Sequence, residues 1–206
     1  TLLFGTGSVG KSMLTVDMAA RLSVGERWGD GASGSRGRSL MITAEDDPAE
    51  EDLPRLRAAG AGLNAVDFLQ TVQSLDKNGK RVDRGFTLKD LPQLEDAMKR
   101  EAYQLIVVDP WGAFLNGTDS HVDAEIRQIL SPVSNLAAKY MTAVVFVAHI
   151  NKGGKGLRAA QRVMGSVGLS NACRAAYLVT EDGKDLERRL MLPTKLNVAK
   201  HSGGLA

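Results

Sequence analysis

An apolar run, Thr1-Leu2-Leu3-Phe4, leads directly into Gly5-Thr6-Gly7-Ser8-Val9-Gly10-Lys11-Ser12, and a segment carrying Met13, Leu14, Val16, Met18 and Leu22 follows. The eight residues satisfy G-x-x-x-x-G-K-[ST] at every position, between an apolar strand and an amphipathic helix, which is the context the motif requires. Glycines at 5, 7 and 10 let the backbone curl and turn its N–H groups inward onto phosphate oxygens. The helix behind them adds its positive N-terminal end. In such a loop Lys11 bridges the β- and γ-phosphates and Ser12 offers its hydroxyl to Mg²⁺. The whole loop, with Thr6, Ser8 and Val9, is the expected cradle for a nucleoside triphosphate. ATP and Mg²⁺ are the expected ligands. The alternative is a glycine-rich turn that happens to precede a lysine, and the order strand, loop, helix argues against it.

The rest of the chain alternates short apolar runs with helical periodicity, which predicts an α/β fold with a mainly parallel sheet flanked by helices. Strands are expected at 1–4, 39–44, 65–72, 104–108 and 143–148, and helices at 11–22, 49–59, 88–101 and 123–140. Ile126, Ile129, Leu130, Val133, Leu136, Ala137 and Tyr140 share one face of the last helix. Ser120-His121-Val122-Asp123 opens it as a candidate capping box, and Pro132 is expected to kink or strain it. Residues 25–38 are rich in Gly and Ser and read as a loop, and 73–86 read as a polar connection with a turn at Asn78-Gly79. Two further strands, 174–180 and 188–193, are joined at Glu181-Asp182-Gly183, a connection short enough to make them an antiparallel edge.

Three clusters carry chemistry besides the loop. Leu105-Ile106-Val107-Val108 ends in Asp109, and a carboxylate at the exit of a buried strand calls for a partner such as hydrated Mg²⁺. Capping of the turn before Pro110 is its bland alternative. The strand at 39–44 ends in Glu45-Asp46-Asp47-Pro48. Ligands of open α/β sheets gather at the carboxyl ends of strands, so Glu45 is the candidate base that polarises the attacking water. The competing reading is a surface turn in which Asp46 or Asp47 is only the N-cap of the next helix. Third, residues 126–180 contain no Asp or Glu but hold Arg127, Lys139, Lys152, Lys155, Arg158, Arg162 and Arg174. Gly- and Lys-rich Asn151–Gly156 in that span suits a nucleic-acid backbone, although it lacks an aromatic for base stacking. A solvated loop balanced by acids elsewhere is the competing reading.

The formal net charge of +2 names no partner. The one cysteine, Cys173, rules out an internal disulfide and suits a reducing cytoplasm. No run of eighteen apolar residues is present, so no membrane span is expected. The chain opens on Thr1 rather than Met and reads as a single domain, residues 1–206, of a longer protein.

The motifs GTGSVGKS, MITAEDDP, LIVVDP, VVFVAHINKGG and LPTKLN, in this order, resemble the RepA-type hexameric replicative helicases, RecA-like and DnaB-related ATPases of plasmids, phages and mobile elements. The resemblance covers residues 1–200 or so. It implies a RecA-like P-loop fold, a twisted sheet with the order 3-2-4-5-1-6 for its core strands numbered along the chain, and a homo-oligomeric ring, a hexamer, on single-stranded DNA. It further implies that Asp109 is the acid beside the metal and that Glu45 is the catalytic glutamate. By the same resemblance His149 is a γ-phosphate sensor, Arg174 an arginine finger reaching into the neighbouring subunit and Lys195 a second cation across the interface. Arg55 would pack on adenine, and Lys152, Lys155, Arg158 and Arg162 would face the pore and DNA. The chain departs from the pattern at Val198, where the family has an aromatic beside adenine, and at Lys195-Leu196-Asn197, where DnaB-type relatives carry Lys-x-Arg. The expected activity is Mg²⁺-dependent ATP hydrolysis driving a DNA helicase or translocase. A RadA- or RecA-like repair ATPase that does not unwind, a nucleotide-gated interaction module and a small-molecule kinase are the other readings. DNA-stimulated turnover in stable rings separates the helicase or translocase from the rest.

Overall fold

Strands made of unbroken apolar residues must be covered on both faces, and the fold is built on that requirement. The computed structural model describes residues 1–45, 47–115, 123–150, 167–197 and 204–205. Its strands are β1 (Leu2–Gly5), β2 (Arg38–Thr43), β3 (Val66–Phe68), β4 (Thr71–Leu75), β5 (Arg81–Gly85), β6 (Tyr103–Asp109), β7 (Ala143–His149), β8 (Ala175–Asp182) and β9 (Asp185–Leu196). Its α-helices are α1 (Lys11–Val24), α2 (Leu53–Ala58), α3 (Leu91–Arg100), α4 (Asp123–Lys139) and α5 (Val167–Ala172).

The main sheet runs β3-β2-β6-β7-β1-β8-β9. All neighbours are parallel except β8 and β9, which pair antiparallel at the edge. Counting the strands expected from sequence, this is the order 3-2-4-5-1-6 with a seventh strand outside it. Side chains alternate between two layers. Leu2, Phe4, Ile106, Val108, Phe146 and Ala148 pack beneath α3, α4 and α5, through Leu94, Met98, Ile126, Leu130 and Leu169. Leu3, Val107, Val145 and Val147 pack against α1 and α2, through Val16, Ala19, Leu22 and Leu56. Among the described residues no helix is long and apolar enough to cross a membrane.

Several expected elements change. The single strand expected at 65–72 is divided: β3 stays in the main sheet, while β4 turns away and pairs antiparallel with β5 as a separate ribbon. The polar connection expected after it is the rest of that ribbon, closed by a turn in which the Asp76 carboxylate accepts from the Asn78 and Lys80 N–H groups, each at 2.8 Å. The helix expected at 49–59 begins instead as a π-helical turn, Pro48–Asp52, before α2. Pro54, which has no N–H to give, falls at that junction. Val167 and Gly168 open α5, where fully buried Leu169 supplies burial that outweighs the low helix propensity of glycine. The helix α4 runs on through Pro132. The proposed capping box before it, Ser120 to Val122, lies outside the described residues.

Candidate nucleotide site

Every parallel strand delivers its carboxyl end to the same rim of the sheet, and the loop after β1 rises from that rim. Gly5 closes β1 where a Cβ would collide with the Val179 carbonyl of β8, so no larger residue fits between these strands. Gly10 turns the chain into α1 with φ 91°, in the left-handed region that glycine enters without strain. No side chain caps α1 and its first turn carries no acid. Its leading N–H groups therefore remain available to an anion, and the loop fits a phosphate group on that count.

Lys11 is 4% exposed, and its ammonium group donates to the Thr6 carbonyl at 2.7 Å and the Gly5 carbonyl at 3.3 Å. Burial lowers its pKa, while Asp109 and Glu45 act in the opposite direction. Asp109 ends β6 with 9% exposure. Burial raises its pKa; the Ser12 hydroxyl bonded to its carboxylate and the charge of Lys11 pull it back, and Glu45 pushes it further up. The rim thus holds a desolvated cation and a desolvated anion, each short of solvation that a metal phosphate would supply.

His149 closes β7 in register with Gly5. Its Nδ1 lies 3.4 Å from the Lys11 ammonium and its Nε2 lies 4.0 Å from a Glu45 oxygen, so the imidazole stands between the two. Glu45 stands two residues beyond the end of β2, with its side chain 64% exposed, free to meet water. The register Thr43↔Asp109 and the bond from the Ala44 N–H to the Asp109 carbonyl at 3.2 Å hold the ends of β2 and β6 side by side. Lys11, Ser12, Asp109, Glu45 and His149 therefore come together at one rim.

Asp52 was not anticipated. It is 3% exposed and accepts from the Thr43 hydroxyl at 3.2 Å. Ser12, Thr15, Thr43, Glu45, Asp52 and Asp109 border a cavity of about 20 Å³, room for one water molecule. Among the described residues no group of three or more His, Cys, Asp or Glu could hold a metal by itself. A Mg²⁺ ion here would draw on the Ser12 hydroxyl, phosphate oxygens and water, the pattern this ion favours.

The remaining candidates lie elsewhere. Arg55, on α2, pairs with Glu51 at 2.9 Å and Asp52 at 3.8 Å. Arg174 is exposed just ahead of β8, level with the amino end of β1. Lys195 lies opposite Ala176 on β9 and donates to the carbonyls of Ser170 (3.0 Å) and Asn171 (2.9 Å) at the end of α5. Both cations therefore occupy the opposite end of the sheet from the loop, about 10 Å below Gly5 for Lys195 and about 16 Å for Arg174, three and five residues of strand. Lys152, Lys155, Arg158, Arg162, Asp46 and Val198 lie outside the described residues.

A parallel sheet that places a GTGSVGKS loop beside a strand-end aspartate defines the P-loop class of nucleotide-binding ATPases. A family model described as an AAA domain (AAA_25) matches residues 1–155, three quarters of the chain, and the protein belongs to this family. No curated protein matches the chain.

Proposed function

We propose that this ATPase is Mg²⁺-dependent and works as a ring-forming DNA helicase or translocase in the replication of a mobile element. The convergence of Lys11, Ser12, Asp109, Glu45 and His149 on one rim supports the hydrolytic reading. When bound, Mg²⁺ would neutralise charge on the β- and γ-phosphate oxygens. Ser12 would hold it directly and Asp109 through water. Lys11 would exchange its two loop carbonyls for phosphate oxygens, which return to its ammonium the solvation that burial removes. Glu45 would orient a water for in-line attack on the γ-phosphate and accept its proton. His149, between Lys11 and Glu45, would report the presence of that phosphate to both.

The position of Arg174 favours an assembly. It is exposed and too distant to serve the loop of its own chain, so as a finger it would complete the site of a neighbour. The nucleic-acid part of the proposal rests on the ordered set of five motifs and on the acid-free span 126–180.

The test is the ATPase rate with and without single-stranded DNA for wild type, Lys11→Ala and Arg174→Ala. DNA stimulation in wild type and loss of turnover in both variants are expected. Turnover indifferent to DNA would overturn the helicase reading and leave the hydrolytic one standing.

A further inference from the structure

The ribbon formed by β4 and β5 has no part in the site just described, yet it is fastened to it. It leaves the sheet after β3, at the same rim as the phosphate loop. It returns through Phe86, which is 3% exposed and stacks obliquely on Phe114, ring centres 6.2 Å apart. Next to it the Leu88 N–H donates to the Phe114 carbonyl at 2.9 Å. Phe114 ends the short helical turn, Trp111–Phe114, that follows Asp109. A ribbon of two strands has little stability of its own, and these contacts, together with the Arg84–Asp90 ion pair, anchor it at the root.

Beyond the root the ribbon is solvated and its charge is uneven. The register pairs Leu75 with Arg81 and Gln73 with Asp83, and all four residues are exposed, Leu75 to 68%. Lys77 and Lys80 flank the turn. Among the described residues, Lys77, Lys80 and Arg81 have no ion-pair partner, while the acid nearest the tip, Asp76, is occupied by the backbone of the turn. Three cations thus stand at the far end of a twisted ribbon, around one exposed leucine.

We propose that this ribbon is a contact element for duplex DNA, resting on the phosphate backbone through Lys77, Lys80 and Arg81. A two-stranded ribbon is one of the two elements the major groove admits. Residues 71–85 hold four cations against two acids, Asp76 and Asp83, and cations in such excess gain affinity by releasing counterions from the phosphates. Residues 71–85 contain no aromatic, so they offer no stacking platform for unpaired bases, and this favours paired DNA over a single strand. The root places the element on the chain segment leaving Asp109, so a load on the ribbon bears on the strand that carries the metal-side acid. The inference rests on the nucleic-acid reading proposed above and adds a second, duplex-facing contact to it.

The experiment is fluorescence anisotropy of the full chain with a labelled duplex of about 20 base pairs and with one of its strands, over a salt series. It compares wild type, a Lys77→Ala/Lys80→Ala/Arg81→Ala variant and the conservative Lys77→Arg/Lys80→Arg variant. The alanine variant should bind duplex about tenfold or more weakly and lose about three units of salt slope, one for each phosphate contact. Its affinity for the single strand and its ATPase rate without DNA should stay at wild-type levels, and the arginine variant should bind duplex normally. Unchanged duplex affinity and slope in the alanine variant would overturn the inference alone. Equal losses for duplex and single strand would overturn it in favour of an unselective polyanion patch. Wild type that binds neither DNA at low salt would take down the underlying nucleic-acid reading as well.

Discussion

The two ends of the sheet differ in how well their charges are satisfied. At the loop end, Lys11 and Asp109 are both buried, with pKa values displaced toward their neutral forms by loss of solvent. At the other end, Lys195 rests on two carbonyls at the carboxyl end of α5, where the helix dipole favours a cation, and Arg174 stands in solvent. One end is built to be completed by a ligand. The other is already at rest within its own chain through Lys195, and the exposed Arg174 side chain has no ion-pair partner among the described residues. Under the assembly proposed above, a site split in this way would tie turnover to assembly, with each chain carrying the loop of one site and the finger of the next.

The largest effect should come from the exposed end. Arg174→Ala is expected to lower turnover about a thousandfold under conditions where the chain assembles, with nucleotide affinity of the isolated chain unchanged, as read by steady-state rates and titration with a fluorescent ATP analogue. Full activity would mean the two ends are independent. Glu45→Gln, at the loop end, should cost about a hundredfold or more in kcat while nucleotide binding persists, since it would remove the proposed base and not the cradle. Retained kcat would transfer that role to another group.

The electrostatic contrast can be read without turnover. The Asp109 pKa is raised in the native state, so the native protein holds that proton more tightly than the unfolded chain does. Stability therefore falls as pH rises from the ordinary value of 3.8 through the raised one. Asp109→Asn should melt a few degrees higher than wild type at pH 7 without ligand, on the order of 1 kcal/mol, with the gap closing as the pH is lowered. A lower melting temperature for the variant would show that Ser12 and Lys11 already compensate the charge. Lys195→Ala should do the reverse, destabilising by about 1 kcal/mol through loss of its bonds to α5. An unchanged melting temperature with reduced turnover would instead assign Lys195 to the interface alone.

The same contrast explains what could be read from the amino-acid order. The loop, the strand end at Asp109 and the parallel core follow from motifs and unbroken apolar runs that admit few other structures. His149 and Arg174 came from resemblance, and geometry then placed one beside Lys11 and the other at the far end. Asp52 escaped notice because it sits in the acidic run Glu50-Glu51-Asp52, and only burial distinguishes it from its neighbours. Its spacing of four from buried Leu56 was the available signal. The ribbon escaped because its strands are mostly polar on both faces. The turn at Asn78-Gly79 was recognised, but alternation with no apolar face does not announce a strand. The helix α5 depends on Leu169 meeting the core, a long-range contact that local propensity does not contain.

Mixing Lys11→Ala with Arg174→Ala chains tests whether one chain's loop is completed by another chain's finger. Each variant alone should be nearly inactive. Randomly mixed in equal amounts, head to tail, they should recover about a quarter of the wild-type rate, because one interface in four pairs an intact loop with an intact finger. A mixture as inactive as its parts, from chains shown to co-assemble, would contradict the shared site.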